Sequence, residues 1–357
     1  MQPVNLFEFE ALAREKLDKM IYDYYAGGAN DNLSLADNRA AFDRLRLRPR
    51  MLRGSERQDM STTILGDQMP TPLFIAPMAF MAMAHPDGEL AVARAAHSHG
   101  VRYVVSTMSN YALDEIAAAS AGPKWFQLYV YQNRDATAQM VAKAEAAGYR
   151  ALMLTVDTPL VGRREADVRS QFHLPDGLIA KNLVNVQIPH VRPTQSESGL
   201  AVYVAAQRAN LTWDDIGWLR SLTNMPLLVK GILRGDDAKR AVDHGAAGIV
   251  VSNHGGRQLD TAVAGIDALP EVVAAVNGAV DVLVDGGIRR GTDILKALAL
   301  GAKGALLGRP VLWGLTVNGE AGVGQVLEML LAEFELAMAL SGCNSIAEIT
   351  PDLLFRG

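Results

Sequence analysis

The chemically richest motif in the chain is VSNHGGRQLD, at residues 251–260. His254 titrates near neutral pH and suits proton transfer, whereas the planar fork of Arg257 binds a carboxylate through two hydrogen bonds. The two glycines between them let the backbone pass close to a ligand. The pair predicts an acidic substrate that loses a proton. The alternative is that Ser252, Asn253 and His254 only cap the next helix.

A second motif, VDGGIRRGTDILKAL at residues 284–298, is followed by GRP at residues 308–310. Glycine-rich backbone amides and a helix N-terminus favour a phosphate dianion, and Arg289 and Arg309 would add positive charge. The motif therefore predicts a site for a phosphorylated ligand. A pair of tight glycine turns without a ligand is the alternative.

Two charged residues follow apolar runs that are typical of buried strands. A lysine such as Lys230, pointing inward among apolar neighbours, is costly unless an anion faces it. We therefore expect it to stabilise negative charge on a cofactor or substrate. Asp157 would raise the pKa of His254 and fix its tautomer. The alternatives are an ion pair of Lys230 with Asp157 or Asp285, and a helix-capping role for Asp157.

Phenols and a further arginine complete the set of candidates. Tyr129 and Tyr24 carry hydroxyl groups that suit hydrogen bonds to substrate oxygens, although a single tyrosine is more often an amphipathic surface residue. Arg164, in an Arg-Arg pair, is either solvated charge or a second group for a carboxylate. Three histidines in predicted helices have no acidic residue at a metal-ligand spacing: His97, His99 and His244. No metal site is therefore predicted.

These candidates fall at the ends of short β-branched runs that alternate, from residue 70 onward, with alanine-rich segments of helical spacing. The alternation is typical of repeated βα units around a parallel sheet. Eight runs favour an α/β fold of the (β/α)8 TIM-barrel class over an open doubly wound sheet, and chemistry in such barrels lies at the C-terminal ends of the strands. The predicted strands are Leu73–Ala76, Tyr103–Ser106, Trp125–Leu128, Ala151–Val156, Leu227–Lys230, Gly248–Ser252, Val282–Asp285 and Ala305–Gly308.

The other segments are interpreted as parts of one domain that covers residues 1–357. Residues 1–65 are predicted to form an N-terminal helical cap, residues 66–342 the barrel and residues 343–357 a C-terminal tail. The stretch from residue 158 to about 210, after the fourth strand, is too long for an ordinary βα connection. It is predicted to be a lid over the barrel mouth, with a disordered insertion as the alternative.

Composition limits the classes of function. A formal charge of −5 argues against a nucleic-acid or anionic-membrane surface. The single cysteine, Cys343, excludes an internal disulfide, a CxxC metal site and a haem attachment. The N-terminal residues lack the pattern of a signal peptide, and no window holds about 18 uninterrupted apolar residues. We therefore expect a cytoplasmic protein without nucleic-acid or membrane partners.

Taken together, the motifs resemble the FMN-dependent L-2-hydroxyacid oxidase and dehydrogenase family, the glycolate oxidase and L-lactate oxidase type. The resemblance covers nearly the whole chain and implies FMN as cofactor. The motifs that carry it are YDYYAGGAND, APMA, STMSN, WFQLY, TVDTPLVGRREAD, VKGI, SNHGGRQLD, DGGIRRG and GRP.

The resemblance implies a role for each matching position. His254 corresponds to the catalytic base and pairs with Asp157, while Lys230 and Tyr129 complete the catalytic set. The substrate-binding residues implied are Tyr24, Met108, Tyr129, Arg164, His254 and Arg257. The FMN-binding residues implied are Pro77, Met78, Ala79, Ser106, Gln127, Thr155, Lys230, Ser252, Asp285, Gly286, Gly287, Arg289, Gly308 and Arg309.

The activity implied is oxidation of a small L-2-hydroxy acid to the 2-oxo acid, with O2 reduced to hydrogen peroxide. Met78 and Met108 replace the threonine and tryptophan common in plant-type glycolate oxidases, which favours L-lactate. Glycolate, or a dehydrogenase with another electron acceptor, is the alternative. Family dehydrogenases carry a haem domain or a membrane insert that this chain lacks, which favours O2. We also expect a homo-oligomer, a tetramer or an octamer.

Overall fold

The computed structural model describes residues 3–54, 57–183 and 210–355, and its centre is a closed barrel of eight parallel strands. Each strand overlaps the run predicted for it, and each pairs with its neighbours in chain order before the last strand closes on the first. The predicted (β/α)8 fold is therefore confirmed. The strands are β1 (Leu73–Ile75), β2 (Arg102–Ser106), β3 (Lys124–Leu128), β4 (Leu152–Thr155), β5 (Leu227–Ile232), β6 (Gly248–Val251), β7 (Asp281–Asp285) and β8 (Gly304–Leu307).

The barrel interior is a packed core, to which each strand contributes one large apolar side chain. The rings of Phe74 and Trp125 meet inside it with their centroids 4.7 Å apart, although their strands are not neighbours. A hairpin of Thr62–Ile64 and Asp67–Met69 packs Ile64 and Met69 against this core. The interior side chains are Phe74, Val104, Trp125, Met153, Leu228, Val250, Leu283 and Leu306.

Helices surround the strands, and those that connect successive strands overlap the alanine-rich segments of the sequence. A second apolar cluster lies between the strands and these helices; it contains the strand residues that point away from the barrel interior, such as Leu73 and Ile75, and the buried faces of the helices. The helices are Leu6–Lys16, Lys19–Ala26, Leu33–Arg44, Gly88–Ser98, Leu113–Ala118, Arg134–Ala146, Glu165–Arg169, Asp214–Leu222, Gly235–Asp243, Gly265–Val276, Gly291–Ala299 and Arg309–Leu340. Short 3-10 turns cover Met81–Met83, Lys181–Leu183, His254–Gly256, Ile346–Glu348 and Pro351–Leu353.

The N-terminal segment contains three helices that pack on the barrel, in the region predicted to be a cap. Helix Leu6–Lys16 packs against Arg309–Leu340, and helix Leu33–Arg44 lies against the loop that follows β6. The segment after the third helix is joined to the C-terminal residues, because Arg46–Leu47 pairs antiparallel with Leu354–Phe355. The predicted boundary at residues 65 and 66 falls in the turn of a hairpin, so the division into cap and barrel stays a prediction.

The long segment after β4 is described only in part. It contains the helix Glu165–Arg169 and the turn Lys181–Leu183, whereas residues 184–209 lie outside the described residues. About half of the predicted lid falls there, and the lid stays a prediction. Within the described ranges, no helix combines the length and apolar character needed to cross a membrane.

Candidate active site

A cleft of about 1260 Å³, including the space open to solvent, lies at the C-terminal ends of the strands. Its wall contains residues from the strand ends, the following loops and the N-terminal helices. Nearly all the predicted site residues meet there. Those that line it are Tyr24, Pro77, Met78, Ala79, Ser106, Met108, Gln127, Tyr129, Thr155, Arg164, Lys230, His254, Arg257, Asp285, Gly286, Gly287, Arg289, Gly308 and Arg309.

The loop after β6 holds His254 in an unusual backbone conformation. His254 has φ +58, and Gly255 and Gly256 also have positive φ, a region that most L-residues avoid. A Cβ on Gly256 would lie 2.5 Å from the backbone nitrogen of Leu35, so only glycine lets this loop pack against the cap helix. The side chain of Asn253 accepts a hydrogen bond from the Gly256 amide and caps the 3-10 turn His254–Gly256. The next helix, Gly265–Val276, begins after Ala264 and has no side-chain cap, so the alternative that residues 252–254 cap it is wrong.

His254 is paired with Asp157, which follows β4. The imidazole Nδ1 lies 2.8 Å from Oδ1 of Asp157, which leaves Nε2 for a ligand in the cleft. Burial lowers the pKa of His254, although the carboxylate opposes this effect. Burial alone would raise the pKa of Asp157, but His254 and Lys230 hold it below its usual value. The pair thus consists of a carboxylate and an imidazole that is neutral at neutral pH.

Lys230, near the C-terminal end of β5, is buried beside two partners. Its ammonium group donates to Oγ of Ser252 at 2.9 Å and lies 3.1 Å from Oδ2 of Asp285. Burial would lower the pKa of Lys230, but Asp285 and Asp157 raise it above its usual value. The alternative ion pair with Asp285 is therefore present, and the ammonium group still lines the cleft.

Gln127, on β3, is the centre of a polar network at the ends of neighbouring strands. Its Oε1 accepts from Oγ of Ser106 at 3.3 Å and from the amide of Thr107 at 3.2 Å. Its Nε2 donates to Oγ1 of Thr155 at 3.0 Å. The ends of β2, β3 and β4 are joined in this way, and the network fixes polar groups along one side of the cleft.

Two arginines lie side by side where the cleft meets the cap. Nη1 of Arg257 donates to the carbonyl oxygens of Tyr24 at 2.7 Å and Gly27 at 2.9 Å. Its guanidinium carbon lies 5.1 Å from the ring centre of Tyr24. Burial, and then the neighbouring Arg164, lower the pKa of Arg257 to about 10. Nη1 of Arg164 lies 3.6 Å from Oδ2 of Asp167, so one carboxylate serves two buried arginines, and the remaining positive charge favours an anionic ligand.

The two predicted phenols also face this part of the cleft. The ring of Tyr24 stacks on Phe172, with centroids 4.1 Å apart and planes inclined by 9°. Burial raises the pKa of Tyr24, and burial followed by the charge of Asp157 raises the pKa of Tyr129. Both groups are therefore protonated hydroxyls, which donate hydrogen bonds at neutral pH.

The loops after β7 and β8 form the glycine-rich end of the cleft. Gly286 and Gly287 have φ +94 and +83, and a Cβ on Gly287 would lie 1.9 Å from the carbonyl oxygen of Asn38. The helix Gly291–Ala299 begins directly behind this loop. The guanidinium group of Arg289 donates to the carbonyl oxygen of Ile288 at 2.9 Å, and no carboxylate of the described residues lies within 4.0 Å of it. The helix terminus itself is occupied, because the amides of Arg289 and Arg290 donate to Oδ2 of Asp293 and the amide of Gly291 donates to Oε2 of Glu333. The glycine loop and the side chain of Arg289 are the groups at this end that could bind a phosphate.

Two predicted residues lie behind the wall instead of on it. Ser252 is fully buried, where it accepts from Lys230 and from the backbone amide of His254. The carboxylate of Asp157 contacts His254, and its carbonyl oxygen accepts from Gln258; both of these partners line the cleft. Ser252 and Asp157 would therefore act on a ligand through other residues. In the described part of the chain, no group of three or more His, Cys, Asp or Glu side chains is placed to hold a metal ion.

Sequence reasoning missed Gln258, which lines the cleft and joins two loops. Its Nε2 donates to the carbonyl oxygens of Asp157 and Leu160, both at 2.8 Å, and its Oε1 accepts from the amide of Gly162 at 3.1 Å. The loop that carries His254 is thereby attached to the loop that carries Asp157. The only available indication was the position of Gln258 inside the SNHGGRQLD motif.

Comparison with known proteins identifies the family. The family described as FMN-dependent dehydrogenase matches residues 13–356. The chain belongs to the FMN-dependent dehydrogenase family. An L-lactate oxidase of Nostoc sp. is 53% identical, covering 99% of this chain and 98% of that protein. A glycolate oxidase of Spinacia oleracea is 51% identical, covering 98% of this chain and 95% of that protein. A crystal structure of mandelate oxidase with (S)-4-hydroxymandelic acid has a TM-score of 0.94 and 46% identity, covering 99% and 98% of the two chains.

The predicted family and its FMN cofactor are thus confirmed, and the cleft has the properties that FMN requires. Oδ1 of Asp285 is buried without a hydrogen-bond partner among the described residues, and the ammonium group of Lys230 lies beside it. The glycine loops and Arg289 would provide the phosphate end. An FMN-dependent dehydrogenase needs a polar site for the ring and an anion site for the phosphate, and both are present in one cleft.

Proposed function

We propose that this member of the family oxidises a small L-2-hydroxy acid to the 2-oxo acid and passes the electrons to O2, which forms hydrogen peroxide. L-lactate, which would give pyruvate, is the substrate we favour. The observation that carries the proposal is the placement of His254, hydrogen-bonded to Asp157 behind it, in one cleft with two arginines. A base facing a carboxylate site is the arrangement that a hydroxy acid needs for loss of a proton.

In this proposal His254 is the general base. Its Nδ1 is occupied by Asp157, which fixes the tautomer, so Nε2 is the atom that takes the substrate proton. The low pKa of His254 keeps the imidazole neutral and ready to accept. Once it is protonated, the carboxylate of Asp157 compensates the new positive charge. A general base of this kind contributes about 10²- to 10⁴-fold to a rate.

Arg257 and Arg164 would bind the substrate carboxylate. The backbone contacts of Arg257 use Nη1, and no described residue accepts a hydrogen bond from its Nη2. The rest of the fork is therefore available for an anion. The hydroxyl groups of Tyr24 and Tyr129, both of which line the cleft, would donate to the substrate oxygens and orient the reacting carbon toward His254.

FMN, when bound, supplies the electron acceptor that protein side chains lack. Lys230 would stabilise negative charge on its ring, and the Gln127 network would hold the polar ring edge. Arg289 and Arg309, with the glycine loops, would hold the phosphate. The residues proposed to bind FMN are Pro77, Met78, Ala79, Ser106, Gln127, Thr155, Lys230, Ser252, Asp285, Gly286, Gly287, Arg289, Gly308 and Arg309, with Ser252 acting through Lys230.

The substrate side of the cleft supports an acid with a small apolar side group. Met78 and Met108 line the wall, and Sδ of Met108 lies 3.8 Å from the hydroxyl of Tyr131. Flexible thioethers adapt to a methyl group, and the similar Nostoc protein is an L-lactate oxidase. Glycolate is the second candidate, because glycolate oxidases are similar over nearly the same length.

The test is to add L-lactate to the yellow protein without oxygen and to follow the flavin absorbance. Bleaching, and peroxide formation when air is admitted, are expected. A panel with glycolate, mandelate and longer 2-hydroxy acids ranks the substrates by kcat/KM, and a quinone or cytochrome acceptor is compared with O2. If no 2-hydroxy acid bleaches the flavin, the proposal is wrong; if only the artificial acceptor supports turnover, the oxidase assignment is wrong.

The homo-oligomer, a tetramer or an octamer, and the cytoplasmic location stay predictions. Light scattering of the purified protein measures the oligomer directly, and fractionation of the source cells measures the location. Neither property enters the argument for the chemistry.

A further inference from the structure

Glu89 is a buried carboxyl group behind the cleft, outside the set of residues described above. It lies in the first turn of helix Gly88–Ser98 and is fully buried, with 0% of its surface exposed. Its Oε1 accepts from the backbone amides of Met81 at 3.2 Å and Asn110 at 3.0 Å. One acceptor atom thus joins the loop after β1 to the loop after β2.

These two loops form one wall of the cleft. Phe80, next to Met81, and Met108, two residues before Asn110, both line the cleft. The amide of Phe80 donates to the carbonyl oxygen of Met108 at 3.1 Å. The side chain of Asn110 also accepts from the amide of residue 82 at 3.0 Å. A shift of the Glu89 carboxyl group would therefore move both apolar side chains.

The wall needs such support because Phe80 has a backbone that L-residues rarely adopt. Its φ is +59, in the left-handed region. A non-glycine residue stays there only where the surrounding contacts hold it. Besides the bond from the Phe80 amide to Met108, the carbonyl oxygen of Phe80 accepts from the hydroxyl of Tyr25 at 2.6 Å and from the amide of Met83 at 3.0 Å. Glu89 accepts from the next amide along the chain.

The carboxyl group is costly in this position. Its second oxygen, Oε2, is buried without a hydrogen-bond partner among the described residues. Burial, partly offset by the backbone donors, raises the pKa of Glu89 to about 7. The titratable groups that face it from other elements are the phenols of Tyr25, Tyr103 and Tyr149. Charged groups on the adjacent elements pair with one another: Arg94 with Asp87 and Glu320, and Lys181 with Glu115.

We propose that ionised Glu89 is a positioning residue that holds Phe80 and Met108 in the cleft wall and thereby sets the affinity for the substrate. The inference rests on the proposed function and extends it. A carboxylate accepts stronger hydrogen bonds from the two amides than a neutral group does. Protonation weakens both bonds and leaves a buried hydroxyl with no acceptor, so the wall loosens.

Glu89→Gln tests this role, because the amide keeps the size of the side chain and removes the charge. We expect KM for L-lactate to rise about fivefold at alkaline pH, the difference between a charged and a neutral acceptor, with kcat within about twofold of wild type. KM of the wild type should rise as the pH falls through about 7, and KM of the variant should not. Glu320→Gln, on the outer surface of the neighbouring helix, is the matched control and should behave as wild type.

Two readouts do not depend on turnover. The dissociation constant of pyruvate, measured from the flavin absorbance, should follow the KM values of wild type and variant. A glutamate whose folded pKa lies above the ordinary 4.5 stabilises the protein below that pH and loses this stability as the pH rises to about 7. The thermal midpoint of the wild type should therefore fall relative to that of Glu89→Gln as the pH rises from 4.5 to about 7.

The outcomes separate the two proposals. Equal affinity of wild type and Glu89→Gln for pyruvate at all pH values between about 5 and 9 would overturn the role of Glu89. A wild type that oxidises no 2-hydroxy acid would overturn the proposed function, while the thermal midpoints would still report whether Glu89 titrates in the folded protein. A midpoint difference that does not change with pH would also count against the inference.

Discussion

Asp157→Asn is the sharpest test of the proposed chemistry, because it removes a charge and keeps a shape. In the structure, Oδ1 of Asp157 lies 2.8 Å from Nδ1 of His254, and both side chains are largely buried. An asparagine can present its amide oxygen to the same Nδ1–H. The orientation of the imidazole therefore survives, and the electrostatic support of its protonated form is lost.

The size of the effect follows from that single contact. A hydrogen bond to a charged group contributes about 1.5–3 kcal/mol, and the bond is strongest when the imidazole holds the substrate proton. Because each 1.36 kcal/mol is a factor of ten, kcat should fall by about 10- to 150-fold. Loss of the carboxylate also lowers the pKa of His254 further below its usual value, so the acid limb of kcat/KM should move to lower pH.

The assay is peroxide production over a series of pH values, with the FMN content of each preparation measured from its absorbance. Asp67→Asn is the matched control, because Asp67 is also a carboxylate with a cationic partner, Arg102 at 3.1 Å. Asp67 belongs to the hairpin that packs on the barrel interior, away from the cleft. It should have the kcat of the wild type. An unchanged kcat in Asp157→Asn, or an acid limb that moves to higher pH, would refute the reasoning.

Three further predictions concern other parts of the cleft. His254→Ala should keep FMN and lower kcat by about 10²- to 10⁴-fold, and near-normal peroxide production would remove the base assignment. Arg257→Lys should raise KM and lower kcat for L-lactate because an ammonium group lacks the bidentate fork; unchanged constants would mean that the carboxylate binds elsewhere. Gly287→Ala places a Cβ 1.9 Å from the carbonyl oxygen of Asn38, so the protein should lose FMN on dialysis, and a variant that stays yellow would contradict the phosphate-loop assignment.

The barrel and the position of its cleft were predictable from the sequence because they depend on short-range patterns. Runs such as GIVV in β6 are buried on both faces and stand out as strands. Parallel strands place their C-terminal ends together, so the motifs after β4, β5, β6 and β7 had to meet at one mouth. The resemblance then implied what each of these positions binds.

Other features depend on contacts between distant segments, which no local pattern shows. Glu89 begins a helix after a turn and looks like a solvated N-terminal residue; its burial comes from loops and helices elsewhere in the chain. Gln258 makes its hydrogen bonds with backbone atoms of residues 157–162. Every residue type has these atoms, so the sequence does not show which residues are its partners. The positive φ of His254 likewise becomes visible only in the folded loop.

The backbone of the second cap helix has a consequence for acid recognition. Carbonyl oxygens of Tyr24, Tyr25 and Gly27 hold the guanidinium groups of Arg257 and Arg309 in place. Both arginines come from the last third of the chain, whereas most of the oxygens that orient them come from its first thirty residues; the exception is the carbonyl oxygen of Gly255, which accepts from Arg309. A shortened protein that starts after this segment would retain both arginines, yet Arg257 would lose these three acceptors and Arg309 would keep only its bond to Gly255 among the described residues. A barrel without its N-terminal helices would therefore keep the charges of Arg257 and Arg309 and lose the orientation of these groups that selects an acid.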